Sequence, residues 1–276
     1  MATLDEQRQK DLIRDRFTRT AEVFGNFVLQ ERAAEADKLA RFVEAAAHHR
    51  AADLACGPGT LALRFARSVR WVCGLDFTPA MLLRARGTAA SQQIANVDFA
   101  RGDAQSVPFT DGAFDLAVTS YSLHHIPHPS CVVREMARIV KPGGRVGVLD
   151  IRVPEDSRVA EVSNQIERLR DPSHTRTLAR SEFQKIFAEA GLAVTHIELE
   201  EHPRSFDHWL SVAGWHRGDE AYESTRRLME STIANDSADF HPSYAALDPA
   251  ALAAAADSRP DIRMVNTSLY IVARKP

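Results

Sequence analysis

Asp53-Leu54-Ala55-Cys56-Gly57-Pro58-Gly59-Thr60 is the stretch on which the fold turns. It closes a short apolar run over 51–55 and opens a helical pattern over 60–68. Glycines at a strand-to-helix turn let the backbone approach a ligand where a Cβ would not fit. By spacing, Gly57, Gly59 and Ala62 also satisfy the dinucleotide pattern G-x-G-x-x-[GA], so a nicotinamide cofactor has to be weighed. A tight turn with no ligand is the plain alternative.

Working outward, strand and helix patterns alternate from about residue 49 to 151. Strands are expected over 70–75, 97–100, 114–120 and 145–151, with helices over 79–90 and 131–140 between them. The proline at 79 falls in a first helical turn, where it is tolerated. Pro142-Gly143-Gly144 stops the helix before the fifth strand. Strands separated by helix-length segments indicate βαβ units and a parallel sheet, whose ligands bind at the carboxyl ends of the strands. Before this core, residues 5–48 read as helix broken near Gly25-Asn26. After it come helices over 158–169 and 181–190 and a strand over 194–199. A mostly helical stretch follows over 205–256, with an Ala-rich helix started by Asp248-Pro249, and a last strand over 268–273.

Two more loops carry chemistry. Asp76 ends the second strand, 19 residues after Gly57, where a carboxylate can accept from a ribose diol. An aspartate there also suits a helix N-cap. Gly102-Asp103-Ala104 follows the third strand. Its aspartate can accept from an adenine amino group while the next N–H donates to a ring nitrogen, and a polar turn is the simpler reading. Three such loops in order favour a ligand site.

These elements resemble the Rossmann-like S-adenosylmethionine-dependent methyltransferases. The nearest likeness is the small-molecule branch with the ubiquinone/menaquinone-biosynthesis C-methyltransferases. The resemblance rests on DLACGPGT at 53–60, GLDFTPAML at 74–82, GDAQSVPF at 102–109, FDLAVTSYSLHHIPHP at 114–129 and REMARIVKPGGRVGVLD at 134–150. EFQKIFAEAGL at 182–192 continues it less specifically. It implies an α/β fold with a seven-stranded sheet, order 3-2-1-4-5-7-6 with the last strand antiparallel. An N-terminal helical cap (1–48), a cofactor-binding core (49–204, with 152–191 partly on the substrate side), a helical lid insertion (205–265) and a final core strand (266–276) are expected. S-adenosyl-L-methionine is the cofactor it implies, bound by Asp53, Ala55, Gly57, Gly59, Asp76, Phe77, Asp103, Ala104, Gln105 and Ser120. Ala55 stands where many members have glycine.

Methyl transfer is an in-line displacement, aided by alignment and exclusion of water. An acceptor that loses a proton also gains from a base, and His125 or His124, following the fourth strand, is placed to serve. Both can equally be loop residues. Asp150 and Arg152 are secondary candidates with rim ion pairing as their simpler duty. His174 in Asp171-Pro172-Ser173-His174 reads as a turn residue near the cleft. Phe206, Trp209 and Trp215 read as lid core.

Composition narrows the partners. The chain has 276 residues, 45% hydrophobic and 26% charged, with net charge -3, an ordinary globular balance without the basic field of a nucleic-acid binder. Cys56, Cys73 and Cys131 form neither a disulfide framework nor a metal set, so no metal is expected. The N-terminal MATLDEQRQKDLIRDRF lacks a signal-peptide core and no apolar run spans a bilayer, which points to a cytoplasmic protein. The expected function is O- or C-methylation of a small organic molecule, in a monomer or a homodimer. The rivals are a protein of this fold that binds the cofactor without transferring methyl, and a nicotinamide oxidoreductase. The oxidoreductase gives no reason for Gly102-Asp103-Ala104.

Overall fold

The computed structural model describes residues 4–245 and 259–276. Its sheet comprises β1 (Arg50–Leu54), β2 (Trp71–Asp76), β3 (Val97–Arg101), β4 (Phe114–Ser120), β5 (Val140–Ile151), β6 (Ala193–Ser205), the two-residue β7 (Ser243–Tyr244) and β8 (Ile262–Arg274). The order is β3-β2-β1-β4-β5-β8-β6, with β7 pairing β8 off this path. β1 to β5 are parallel, and β8 runs antiparallel to both β5 and β6. With the small β7 set aside, this is the expected 3-2-1-4-5-7-6 arrangement. The carboxyl ends of β1 to β5 therefore open on one edge.

The helices are α1 (Leu4–Arg19), α2 (Ala21–Glu31), α3 (Ala33–Phe42), α4 (Thr60–Phe65), α5 (Pro79–Ser91), α6 (Pro129–Ile139), α7 (Ser157–Arg170), α8 (Arg180–Glu189), α9 (Phe206–Val212) and α10 (Glu220–Ser231). Both sheet faces are covered, so β1 is buried without a break from Ala51 to Leu54 rather than alternating. Ala52 and Leu54 face a core with Val132, Val133 and Met136 of α6 and Phe183 and Phe187 of α8. Ala51 faces the other core, with Leu39 and Val43 at α3 and Leu61 and Phe65 of α4.

Four expectations need correction. The N-terminal helices break at Thr20 and Arg32, not at Gly25-Asn26. Gly25 lies inside α2, where a Cβ would come 2.1 Å from Nε of Arg84; it makes room for α5, and packing overrides its poor helix propensity. β5 starts at Val140 and runs through Pro142-Gly143-Gly144. Gly144 permits this, since a Cβ would come 2.7 Å from the Asp115 carbonyl of β4. β6 and β8 outrun their expected lengths and pair as far as Ser205 and Arg263. The polar residues Glu200–Arg204 hide that extension, because ladder hydrogen bonds do not depend on side-chain polarity.

The fourth correction concerns the lid. Phe206, Trp209, Leu210, Tyr222 and Met229 pack with Ile166 of α7 and with Ile262 and Met264 of β8. This cluster braces the extended β6–β8 pair, and no described side chain of 205–240 lines the cleft. Phe206 and Trp209 are core, as expected, and Trp215 Nε1 donates to the Arg170 carbonyl at 2.7 Å. The helix expected from Asp248-Pro249 lies outside the described residues. No described helix is long and apolar enough to cross a membrane.

Candidate functional site

A cleft with about 1130 Å³ of empty space, counted to its open mouth, lies over the carboxyl ends of β1 to β4. Ala55, Gly57, Asp76, Phe77, Asp103, Ala104, Gln105, Ser120 and His125 line it, and Asp53, Gly59 and His124 do not.

The loop after β1 is wound through three left-handed residues: Ala55 at φ 55°, Gly57 at 53° and Gly59 at 87°. Glycine has no penalty there, whereas Ala55 bears about 1–2 kcal/mol of strain. A Cβ on Gly57 would meet nothing within 4 Å, so Gly57 opens backbone into the cleft. Gly59 is pressed between Ala85 and Phe99, where a Cβ would come within 3.0 Å of Ala85, and it caps α4. Asp53 is buried behind the loop, accepting from the Ala62 N–H at 2.9 Å. Its other oxygen has no partner among the described residues. Burial pushes its carboxyl well up.

Asp76 accepts from the N–H groups of Gly57 and Thr78, each at 2.8 Å, so it links the loop after β1 to its own, and the N-cap of α5 is Thr78. Burial raises its carboxyl, partly offset by those bonds. The remaining lone pairs of the carboxylate suit a diol. Asp103 accepts from Gln105 N–H at 2.9 Å and pairs with Lys10 of α1 at 2.6 Å. Burial pushes Asp103 up, but Lys10 and Gln105 outweigh it and hold the carboxyl below its ordinary value.

The two histidines separate. They are adjacent in a 3-10 turn, Leu123–His125, whose three-residue period sends neighbouring side chains in different directions. His124 Nδ1 bonds the buried Asp150, which also accepts from the N–H groups of Leu123 and Ile151. His124 is thus anchored to Asp150 and does not line the cleft. His125 faces the cleft. Its Nδ1 lies 3.1 Å from the Ser173 carbonyl and hydroxyl, and its Nε2 has no hydrogen-bond partner among the described residues. Burial, then neighbouring His124, pull this imidazole down to about 4, so it is neutral near pH 7. His174 is buried against Asn164, and Arg152 pairs with Asp239. Neither lines the cleft.

The roof supplies residues that sequence reasoning missed: Lys10, Ile13 and Phe17 of α1, Val28 of α2, Arg32 at the α2–α3 junction, and Glu35 of α3. They carry no local signature, since charged residues on short helices ordinarily face solvent. Tyr121, the residue after β4, sits left-handed at φ 50°. Its hydroxyl lies 2.9 Å from both Glu35 and Ser268.

An open glycine-walled floor, a carboxylate with free lone pairs and a second carboxylate two loops away match the donor set that an adenosine with an amino-acid tail requires. Comparison with known proteins agrees. Residues 51–144 match a family described as a methyltransferase domain. The uncharacterized methyltransferase YcgJ of Bacillus subtilis is 34% identical over 198 residues, 72% of this chain and 78% of that protein. Its crystal structure is similar with a TM-score of 0.77 at 29% identity, covering 88% of this chain and 99% of that one. The 2-phytyl-1,4-naphtoquinone methyltransferase of Synechococcus elongatus is 39% identical over 111 residues, 38% of this chain and 47% of its own length.

Proposed function

The chain belongs to the S-adenosylmethionine-dependent methyltransferase family, and from that premise we propose that it methylates a small organic molecule at oxygen or carbon. The observation that carries this reading is the single cleft shared by the loops after β1, β2 and β3, the mouth of β4 and His125, under the roof of α1 to α3. The likeness to a naphthoquinone methyltransferase over the core supports a small-molecule acceptor.

In this reading Asp76 takes the ribose hydroxyls, Phe77 packs on the adenine, and Asp103 with the Ala104 N–H holds the adenine edge. Gly57 and Ala55 give backbone approach, and Ser120 lies beside the amino-acid end. Asp53 and Gly59 act from behind by holding the loop. The cofactor supplies a methyl group on a sulfonium, already activated for displacement. Phe17, Val28, Ile126 and Pro127 keep water from the acceptor and orient it. His125 Nε2 takes the acceptor's proton, with Nδ1 held at Ser173.

Labelled methyl transfer from S-adenosylmethionine to a metabolite extract tests the proposal. A labelled small product is expected. Tight binding of S-adenosylhomocysteine with no transfer to any extract would instead support a non-methylating role.

A further inference from the structure

Asp171 and Ser173 lie in the loop between α7 and α8, both buried, and neither lines the cleft. Donors alone surround the Asp171 carboxyl. One oxygen accepts from the Ser173 N–H at 2.9 Å and the Ser173 hydroxyl at 2.7 Å. The other accepts from Nε of Arg16, on α1, at 3.1 Å. Such a set favours the carboxylate over the acid. Burial opposes ionisation, but the charges and bonds around the group win and hold it below its ordinary value.

The consequence falls on His125. Its Nδ1 lies 3.1 Å from both the hydroxyl and the carbonyl of Ser173. The carbonyl has only lone pairs to offer, and it also accepts from the Gln9 amide of α1 at 2.6 Å. The hydroxyl could donate, but its proton is committed to Asp171. Both oxygens therefore present lone pairs to Nδ1, so Nδ1 carries the proton of the neutral ring. Nε2 is left bare in a side chain that lines the cleft. Arg16 and Gln9 both come from α1, so the roof helix holds this relay in place.

We propose that Asp171, acting through Ser173, is a positioning residue that fixes His125 in the tautomer whose bare Nε2 can accept a proton. The inference rests on the methyl-transfer reading and adds what prepares its base. Nε2 takes the acceptor's proton and Nδ1 keeps its own. The imidazolium that results is offset by the Asp171 carboxylate, one hydroxyl away.

The test reads the tautomer by NMR of the histidine ring nitrogens in the full chain at neutral pH. The His125 signals are assigned by their loss in His125→Gln. The parent is expected to show a protonated Nδ1 and a bare Nε2. Asp171→Asn keeps the side chain's shape but, with its oxygen toward Arg16, turns an NH2 toward Ser173. The hydroxyl then donates to Nδ1, and the proton of the ring shifts toward Nε2. Combining Asp171→Asn with Ser173→Ala removes that hydroxyl, leaves Nδ1 facing the carbonyl alone and restores the parent tautomer. A merely structural role predicts the opposite order, since losing two partners disturbs the loop more than losing one. Transfer of labelled methyl from S-adenosylmethionine to a metabolite extract should follow the tautomer. It should be roughly 10- to 100-fold slower in the single variant, part of what a general base contributes, and partly recovered in the double. S-adenosylhomocysteine affinity should match the parent in both. A parent with a protonated Nε2, a single variant that keeps the parent tautomer, or transfer rates that do not follow it overturns the positioning role alone. A parent that binds no S-adenosylhomocysteine, or transfers no methyl, overturns the methyl-transfer reading and the relay's role with it.

Discussion

At Asp76 a single carboxylate already accepts from Gly57 and Thr78 N–H groups, so its loss reaches a bound ribose both directly and through the loop. Asp76→Ala is expected to weaken S-adenosylhomocysteine binding by about 2–4 kcal/mol, the scale of lost hydrogen bonds to a charged group. Calorimetry on the folded variant checks it, and unchanged affinity removes Asp76 from the site. The two histidines part just as clearly. His125→Ala should lower single-turnover methylation by ~10²–10⁴-fold with cofactor affinity nearly intact. His124→Ala should instead cost about 1–3 kcal/mol of stability, because the buried Asp150 loses its ring partner and keeps only the Leu123 and Ile151 N–H groups. Comparable turnover in the His125 variant and the parent would mean that alignment alone drives the reaction.

Among the elements, α1 to α3 roof the cleft and α9 and α10 do not. Within the roof, α1 is tied down at Glu6–His128, Lys10–Asp103 and Arg16–Asp171 and by the Gln9 amide on the Ser173 carbonyl at 2.6 Å. These are few polar ties rather than a deep apolar core, which places α1 among the less stable parts of the fold. S-adenosylhomocysteine is therefore expected to slow amide exchange in α1 and α2 more than in α8, in keeping with roofs that order on binding. Equal slowing in all three, or none in α1, argues against a ligand-ordered roof. Sequence patterning foretold helices here. It misplaced their breaks, since Gly25 is kept for contact with Arg84 and not for a turn.

For the whole molecule, the half-buried His125 and the buried His174 are neutral imidazoles beside His124, Asp150 and Asp171. Burial, then the neighbouring histidines, lower both, His125 to about 4 and His174 well below its ordinary value. The unfolded chain binds protons at such imidazoles from about pH 6.5 downward while the native chain does not. Stability is therefore expected to fall as pH drops from about 6.5 to about 4, with His125 accounting for about 3 kcal/mol. Melting curves of the parent and of His125→Gln across that window check the sign. The variant's curve should be flatter, and parallel curves would show that His125 is not held neutral.

The core was legible because its signals are local. Glycines at a strand-to-helix turn, an aspartate at a strand end and a Gly-Asp-Ala turn each answer a backbone or ligand demand within a few residues, so Gly57, Asp76 and Asp103 could be named in order along the chain. Which of two adjacent histidines faces the cleft could not, because a 3-10 turn and the buried Asp150 decide it. Lys10, Arg32, Glu35 and Tyr121 were equally hidden. Lys10, Arg32 and Glu35 reach the cleft only when helices formed before residue 43 pack over the loops that follow β1 to β4, and Tyr121 only through the left-handed turn after β4. Lys38 and Glu200, 162 positions apart, meet only because α3 lies along β6. Periodicity and motif spacing record what neighbours along the chain require of one another. Charge placed against charge across a folded interface leaves no period in the sequence, and the tertiary structure alone brings it together.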